Sequence, residues 1–579
     1  MQLTSCSPDG RFSEYIKIII ERQLLDKVLW EKCTDVFGTG ADNADAGWRG
    51  EYFGKMMRGA CLIYKVAPSP ELYAMLTYAV KRLLTKQENS GRISTYTADS
   101  EFYGWDMWSR KYVMTGLMHY CEICTDEQLK ADILTALTAH ADYITAHIGS
   151  GKTEILDTGS FWGGVNSASI LEPFVELYRR TGKADYLDFA KYIISTGGCR
   201  DGSLTECALG DIPPYLFPEQ KAYETMSFFE GLLAYYEVTG EKTALEAVVK
   251  FTDNLLKTDV TVIGSCGCTH ELFDNSASAQ TEHTGKIMQE TCVTVTLIRL
   301  LARVYKTTGD KRLTDTIRLA ALNALSGALN INGFEQYSNE KKEYLPGLTF
   351  DSYSPLCDSQ RGLGIGGFKV FADGSYFGCC ACIASAGFAL YPLTAVTANG
   401  GTVAVNYLLN GTYGLKAENG ADVLLTVGGG KITVNCTADV NFTLKITNGD
   451  EYTAVSCTAD GKAVCRENGF TVFDGVWKNG DEVLLTVENK LTELNINGKC
   501  SFNYGGFALA ADTAKTPLYI PGRKIQFNRN ADGGIIYELR TPENGEQIRA
   551  AVKTADGELI LTDYPAAGQN GKSTVTVWF

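Results

Sequence analysis

The chain has 579 residues, 45% hydrophobic and 21% charged, which is the make-up of an ordinary soluble globular protein with more than one domain. Its 68 acidic against 53 basic side chains leave a net charge of −15, which argues against nucleic acid or an anionic membrane as partner. Met1 to Gly10 has no charged lead into an apolar run, and Ile18 to Ile20 is too short for a signal or a membrane span. A cytoplasmic protein is therefore expected, with most of its 18 cysteines as reduced thiols.

In chain order, helical periodicity predicts twelve helices near 12–36, 49–65, 70–86, 105–123, 127–147, 165–180, 184–195, 222–238, 242–257, 292–307, 311–328 and 381–393. A signature recurs at helix ends: Tyr178-Arg179-Arg180-Thr181-Gly182, Tyr236-Glu237-Val238-Thr239-Gly240 and Tyr305-Lys306-Thr307-Thr308-Gly309. Glycine suits the left-handed residue that closes a helix, and each copy is followed by another amphipathic run. The copies lie roughly 60 residues apart, too far for a solenoid repeat but suited to successive helical hairpins. Six hairpins in a ring would make an (α/α)6 barrel; the repeat by itself also permits an open helical array. The connections 199–220, 258–290 and 330–380 carry glycine, cysteine and aromatic residues, and loops this long are usually functional.

After about residue 396 the pattern changes. Thr402 to Leu409, Val423 to Val427, Lys431 to Asn435 and Phe442 to Ile446 alternate in polarity and are cut by Gly and Asn, as short strands of a β-sandwich are. The fold expected is thus multidomain α + β: an N-terminal (α/α)6 barrel over 1–395, a C-terminal β-sandwich over 396–500, and a second β-rich segment over 501–579.

Two stretches carry the chemistry. Cys379-Cys380 offers adjacent thiols, which do not readily bond to each other but can both reach one soft metal ion. Glu290-Thr291-Cys292 offers a carboxylate and a third thiol. Together these make a full tetrahedral zinc shell. Residues i and i+2 share a face only on an extended segment, so Glu290 to Cys292 is predicted to be an extended entry to the helix that follows. Cysteine is also a common core residue, and neither stretch has the Cys-x-x-Cys spacing of typical zinc sites.

The run Gln289-Glu290-Thr291-Cys292-Val293-Thr294-Val295-Thr296, with Cys379-Cys380 followed by Gly387-Phe388-Ala389-Leu390-Tyr391-Pro392, resembles the two cysteine segments of the β-L-arabinofuranosidase family, glycoside hydrolase family 127 and its relatives. The resemblance covers roughly residues 45–395. It implies an (α/α)6 catalytic barrel, zinc held by Glu290, Cys292, Cys379 and Cys380, and Cys379 as nucleophile of a retaining glycosidase. Glu271, 19 residues before Glu290, matches the family's acid/base glutamate, with Glu282 as rival. Trp48, Arg49, Glu51, Tyr52, Trp105, Trp108, Lys111 and Tyr112 resemble segments that line the sugar pocket, and Tyr223 and Glu224 are further candidates. Lys111 and Ser167 stand where the family has histidines, which leaves the sugar itself open.

The expected partner is a small glycoside, with β-L-arabinofuranosides or a related sugar as substrate; a homodimer is the assembly considered. Two other readings use the same sequence. One is a sugar lyase or epimerase on the barrel, with Lys111 and Arg49 holding a uronate. The other is a non-catalytic carbohydrate-binding protein with a structural zinc, since closed four-ligand shells are normally structural.

Overall fold

The structure is a computed structural model that describes residues 1–269, 271–282, 288–338, 341–364 and 367–579. Up to residue 395, helices of two kinds alternate. Six are buried on nearly every face or along a broad one: α1 (Gly50–Val66), α2 (Asp106–Cys121), α3 (Leu171–Thr181), α4 (Ala222–Thr239), α5 (Thr291–Thr308) and α6 (Cys379–Ala395). A helix apolar all round must be surrounded by protein. Each packs on the next in chain order, and α6 packs back on α1, so the six close a ring. Between them run one-faced helices such as Pro70–Leu84, Glu127–His147, Ala184–Ser195 and Lys242–Thr258. These bury one stripe and form the outer layer.

The α1–α2 contact is the tightest. A Cβ on Gly54 would lie 1.7 Å from the Tyr112 carbonyl oxygen, and one on Gly116 would lie 2.8 Å from the Gly54 Cα. Two glycines thus let the backbones touch at the crossing. The three Tyr-x-x-Thr-Gly copies end α3, α4 and α5, with Gly182, Gly240 and Gly309 in the left-handed conformation. At that end of the barrel, Arg299 pairs with Glu172 and Glu230, and Arg303 with Glu172 and Glu237.

Beyond the barrel lie three larger sheets. One has six strands in the order 2–8, 411–416, 422–428, 431–436, 481–489, 453–458; another has five, in the order 396–399, 402–405, 443–447, 470–474, 463–467. Their inward residues, among them Val405, Leu444 and Ile446 from one and Leu425, Ile432 and Val434 from the other, share one core. Gln2–Pro8, expected with the helical segment, is therefore a strand of the sandwich, paired with Gly411–Lys416. The third sheet is built from strands between 491 and 576 and also takes Ser359–Gln360 from a barrel loop, which pairs with Thr574–Thr576. Among the described residues no helix is long and apolar enough to cross a membrane.

Candidate functional site

Five of the six inner helices bring a residue of their first turn to one end of the barrel: Glu51, Trp108, Tyr223 and Glu224, Cys292, and Cys379. The positive ends of the helix dipoles converge there, which favours anionic side chains. A cavity of about 310 Å³ opens at this point. Six aromatic residues, Trp48, Trp105, Trp108, Phe161, Trp162 and Tyr223, stand in its wall, and Glu51, Lys55, Lys221, Glu224, Glu271, Glu290 and Cys379 supply the polar groups. A hollow of about 260 Å³ between barrel and sandwich is lined by the Arg318–Asp450 ion pair and by strand residues, with no thiol in its wall.

The two cysteine motifs meet at the cavity floor. Strand Met288–Glu290 pairs with Tyr353–Pro355, and helix α5 begins at Thr291. The predicted extended entry thus ends at Glu290, and Cys292 lies on the first helical turn. Glu290 and Cys292 converge because the backbone changes from strand to helix between them. Helix α6 starts at Cys379, two residues earlier than periodicity indicated.

Cys292 Sγ lies 3.4 Å from Cys380 Sγ and 3.7 Å from Cys379 Sγ, Cys379 and Cys380 are 3.8 Å apart, and Cys380 Sγ lies 3.4 Å from Glu290 Oε1. All four donor atoms fall within 4.8 Å of one another. Around a tetrahedral ion with metal–sulfur bonds of about 2.3 Å, sulfurs would be separated by about 3.8 Å. The observed edges fit. Glu290 Oε2 is buried and has no hydrogen-bond partner among the described residues, which leaves it free to bind a cation. All 18 cysteines are free thiols.

The electrostatics separate the three sulfurs. Hydrogen bonds from Cys292 and Cys380, then the positive charges of Lys55 and Lys221, hold Cys379 well below the usual thiol range. Burial pushes Cys292 and Cys380 up. Burial, with the charges of Glu271 and Cys379, raises Glu290 well above a normal carboxyl. Only Cys379 of the three thiols lines the cavity; it is 8% exposed against 1% for Cys380.

Gly367 explains how a buried thiol can face open space. Its carbonyl accepts from the Cys379 backbone N–H at 3.0 Å and from Trp48 Nε1 at 3.1 Å, and a Cβ on it would lie 2.2 Å from Cys379 Sγ. Its φ of +58° is also costly for any other residue. Gly367→Ala is expected to displace the thiol and lower kcat/KM by about 10²-fold, the cost typical of a misplacement near 1 Å. Steady-state kinetics with an aryl glycoside would measure it; unchanged turnover would mean that Cys379 is not the reacting group.

Glu271 sits on the loop that faces α4. It has a positive φ of 64°, and its carbonyl accepts from the Ala222 N–H at 3.0 Å. Lys221 pairs with its Oε2, and the Tyr353 hydroxyl donates to its Oε1. Glu282 is solvent-exposed and is not part of the cavity wall. Glu51 bonds Lys55 through one oxygen and accepts from Trp108 Nε1 with the other; burial pushes it up to about 7. Glu224 is buried and raised by burial, with Oε2 unpartnered.

Of the sequence-predicted pocket residues, Trp48, Glu51, Trp105, Trp108, Tyr223 and Glu224 line the cavity. Arg49, Tyr52, Lys111, Tyr112 and Ser167 lie behind or beside it. Arg49 clamps Asp42, Asp45 and the Val370 carbonyl; the Tyr52 hydroxyl donates to the Phe377 carbonyl; Tyr112 and Tyr223 share a hydroxyl contact. The Lys111 amine lies 4.2 Å from the centre of the Trp108 ring, with no hydrogen-bond partner, and burial lowers it to about 7. Ser167 is buried and its hydroxyl is likewise unpartnered.

Lys55, Phe161, Trp162, Lys221, Tyr353 and Gly367 were not singled out from sequence. Lys55 had a readable signal, since it stands four residues after Glu51 on a helix and so pairs with it. The rest come from long loops, where nothing periodic marks the inward side.

A family profile described as beta-L-arabinofuranosidase, GH127 catalytic domain, matches residues 23–339, more than half of the chain. No curated protein matches the chain in a sequence comparison. Among solved structures, a GH127 beta-arabinofuranosidase superposes with a TM-score of 0.76 at 17% identity, over 100% of this chain and 96% of its own. A GH127 beta-L-arabinofuranosidase from Geobacillus stearothermophilus T6 does so with a TM-score of 0.68 at 15% identity, over 99% of both chains. At such identities the superpositions speak for the fold: a helical barrel followed by β domains. Taken with the family match, they lead to one assignment: this chain belongs to the GH127 beta-L-arabinofuranosidase catalytic-domain family and is a glycoside hydrolase.

Proposed function

We propose that the protein is a retaining glycosidase that uses Cys379 as nucleophile and Glu271 as acid/base, acting on β-L-arabinofuranosides or a closely related sugar. The observation that carries this reading is the place of Cys379: one corner of the Glu290–Cys292–Cys379–Cys380 cluster and part of the cavity wall. A purely structural metal shell has no need to present a ligand to a sugar-sized, aromatic-walled cavity. Aromatic faces suit the C–H faces of a sugar ring, and Glu51 and Glu224 suit its hydroxyls.

The reaction needs two displacements at the anomeric carbon. In the first, the Cys379 thiolate forms a C–S bond as the glycosidic C–O bond breaks, and Glu271 gives its proton to the departing oxygen. In the second, water adds its oxygen to the anomeric carbon and its proton to Glu271, while the C–S bond breaks and the thiolate returns. Two inversions give net retention. Zinc held by Glu290, Cys292, Cys379 and Cys380 would supply the positive charge that keeps the thiols ionised at neutral pH and eases departure of sulfur. Lys221 and Tyr353 hold the Glu271 side chain in place through its two oxygens; the ion pair with Lys221 belongs to the ionised carboxyl that receives the water proton in the second displacement.

Elemental analysis of protein purified without added metal is expected to find about one zinc per chain, and chelation is expected to remove activity and lower the melting temperature together. A metal-free protein with full turnover would end this reading. The nucleophile is tested by a cysteine-reactive furanose analogue followed by peptide mass spectrometry. Cys379 should carry the label; a label on Cys380 would overturn the assignment.

A further inference from the structure

Lys55 is 1% exposed and stands at the junction of the cavity and the thiol cluster. Its ammonium has three protons to place. Glu51 Oε1 accepts at 2.9 Å, and Cys292 Sγ lies at 3.9 Å. The remaining side is closed by aromatic faces, with ring centres of Tyr223, Tyr112 and Trp108 at 4.6, 5.2 and 5.6 Å. A lysine is kept this deep only where anions and ring faces replace its water. Among the described residues, Cys292 is the only one of the three clustered sulfurs with a charged side chain as hydrogen-bond donor; the hydrogen bonds of the Cys379 and Cys380 sulfurs stay within the cluster.

Resting on the zinc reading above, we infer that Lys55 is a positioning residue that binds the Cys292 thiolate from the outer shell and offsets the surplus negative charge of the site. Three thiolates and one carboxylate around a divalent ion leave a net charge of about −2 in a water-poor setting, and such charge is costly unless paired. Lys55 supplies one positive charge, shared between Glu51 at 2.9 Å and the Cys292 sulfur at 3.9 Å. Electron density on that sulfur is drawn toward the ammonium, which makes Cys292 the less nucleophilic thiolate and leaves it to the ligand role. Cys379, with no such donor, keeps its charge for the substrate. Outer-shell partners of metal ligands typically contribute 10–100-fold in affinity.

The test compares the wild-type protein with Lys55→Met and with Lys55→Met/Glu51→Gln. The double variant leaves no carboxylate stranded where the lysine was and so protects folding. Competition with a chromophoric zinc chelator should show zinc held about 10–100-fold more weakly in either variant. In cobalt-substituted protein, the sulfur-to-cobalt charge-transfer band should move to longer wavelength, because a thiolate without its donor gives up an electron more easily; a merely space-filling lysine would leave that band in place. Wild-type zinc affinity and an unmoved band in the double variant would overturn the role of Lys55 while leaving the zinc site standing. A wild-type protein that binds no zinc would overturn both.

Discussion

Cys379→Ser is expected to retain much of its zinc yet lose nearly all turnover, by roughly 10⁴-fold or more, the scale on which loss of a covalent nucleophile is felt. A serine hydroxyl keeps the size of the side chain but is not ionised at neutral pH, and it is a poorer leaving group in the second displacement. Glu290, Cys292 and Cys380 would remain around the ion. Cys380→Ser should behave differently. Cys380 is 1% exposed, contacts Cys292 and Glu290, and has no place in the cavity wall. Its loss should therefore lower zinc content and activity together. Metal analysis and single-turnover kinetics on both variants measure the contrast. Near-normal turnover in Cys379→Ser would remove it as nucleophile, and an inverted product by NMR would reduce it to a structural ligand.

How much of this site was legible in the sequence follows from how each part is built. Helices α1, α2, α4 and α5 were readable as apolar stretches too long for strands, and the ends of α3, α4 and α5 because Gly182, Gly240 and Gly309 meet a backbone need that only glycine meets cheaply. The thiol–carboxylate cluster was readable because thiols and a carboxylate at short spacing are chemically distinctive. Its assembly from Glu290 on a strand and Cys292 on a helix was not, since the break between strand and helix at Thr291 depends on pairing with Tyr353–Pro355, some sixty residues away.

The same limit governs the pocket. Of the aromatic residues at helix starts, Trp48, Trp105 and Trp108 line the cavity, yet Tyr52 and Tyr112, close by in the chain, pack behind it. Tyr52 follows Glu51 by one residue, a step that turns a helical side chain by about 100°, and Tyr112 shares a face with Trp108 but lies one turn deeper; composition registers neither. Strand 2–8 was missed because its partner, 411–416, lies about 400 residues on in the chain, and only their pairing makes seven mostly polar residues a strand.

Glu271→Gln is expected to slow hydrolysis of alkyl glycosides by about 10²–10⁴-fold, the usual worth of a positioned proton donor, and to slow activated aryl glycosides far less. An aryl oxygen leaves as a stable anion and gains little from a proton; an alkyl oxygen does not. Glutamine keeps the shape of the side chain and can still meet Tyr353, but it has no acidic proton to give. It also leaves Lys221, 9% exposed, without its carboxylate, so zinc content and melting temperature of the variant need to be measured beside the kinetics. Glu224→Gln is the informative comparison. Glu224 lies in the same cavity wall with Oε2 unpartnered, whereas both Glu271 oxygens are engaged by Lys221 and Tyr353. If the leaving-group dependence appears in Glu271→Gln and not in Glu224→Gln, the proton comes from the loop that faces α4. If it appears only in Glu224→Gln, the donor is the first turn of α4 itself, and the Lys221–Glu271–Tyr353 group positions the sugar. Equal slowing of both substrate classes in both variants would leave proton donation to neither carboxyl and would remove the acid/base role from Glu271.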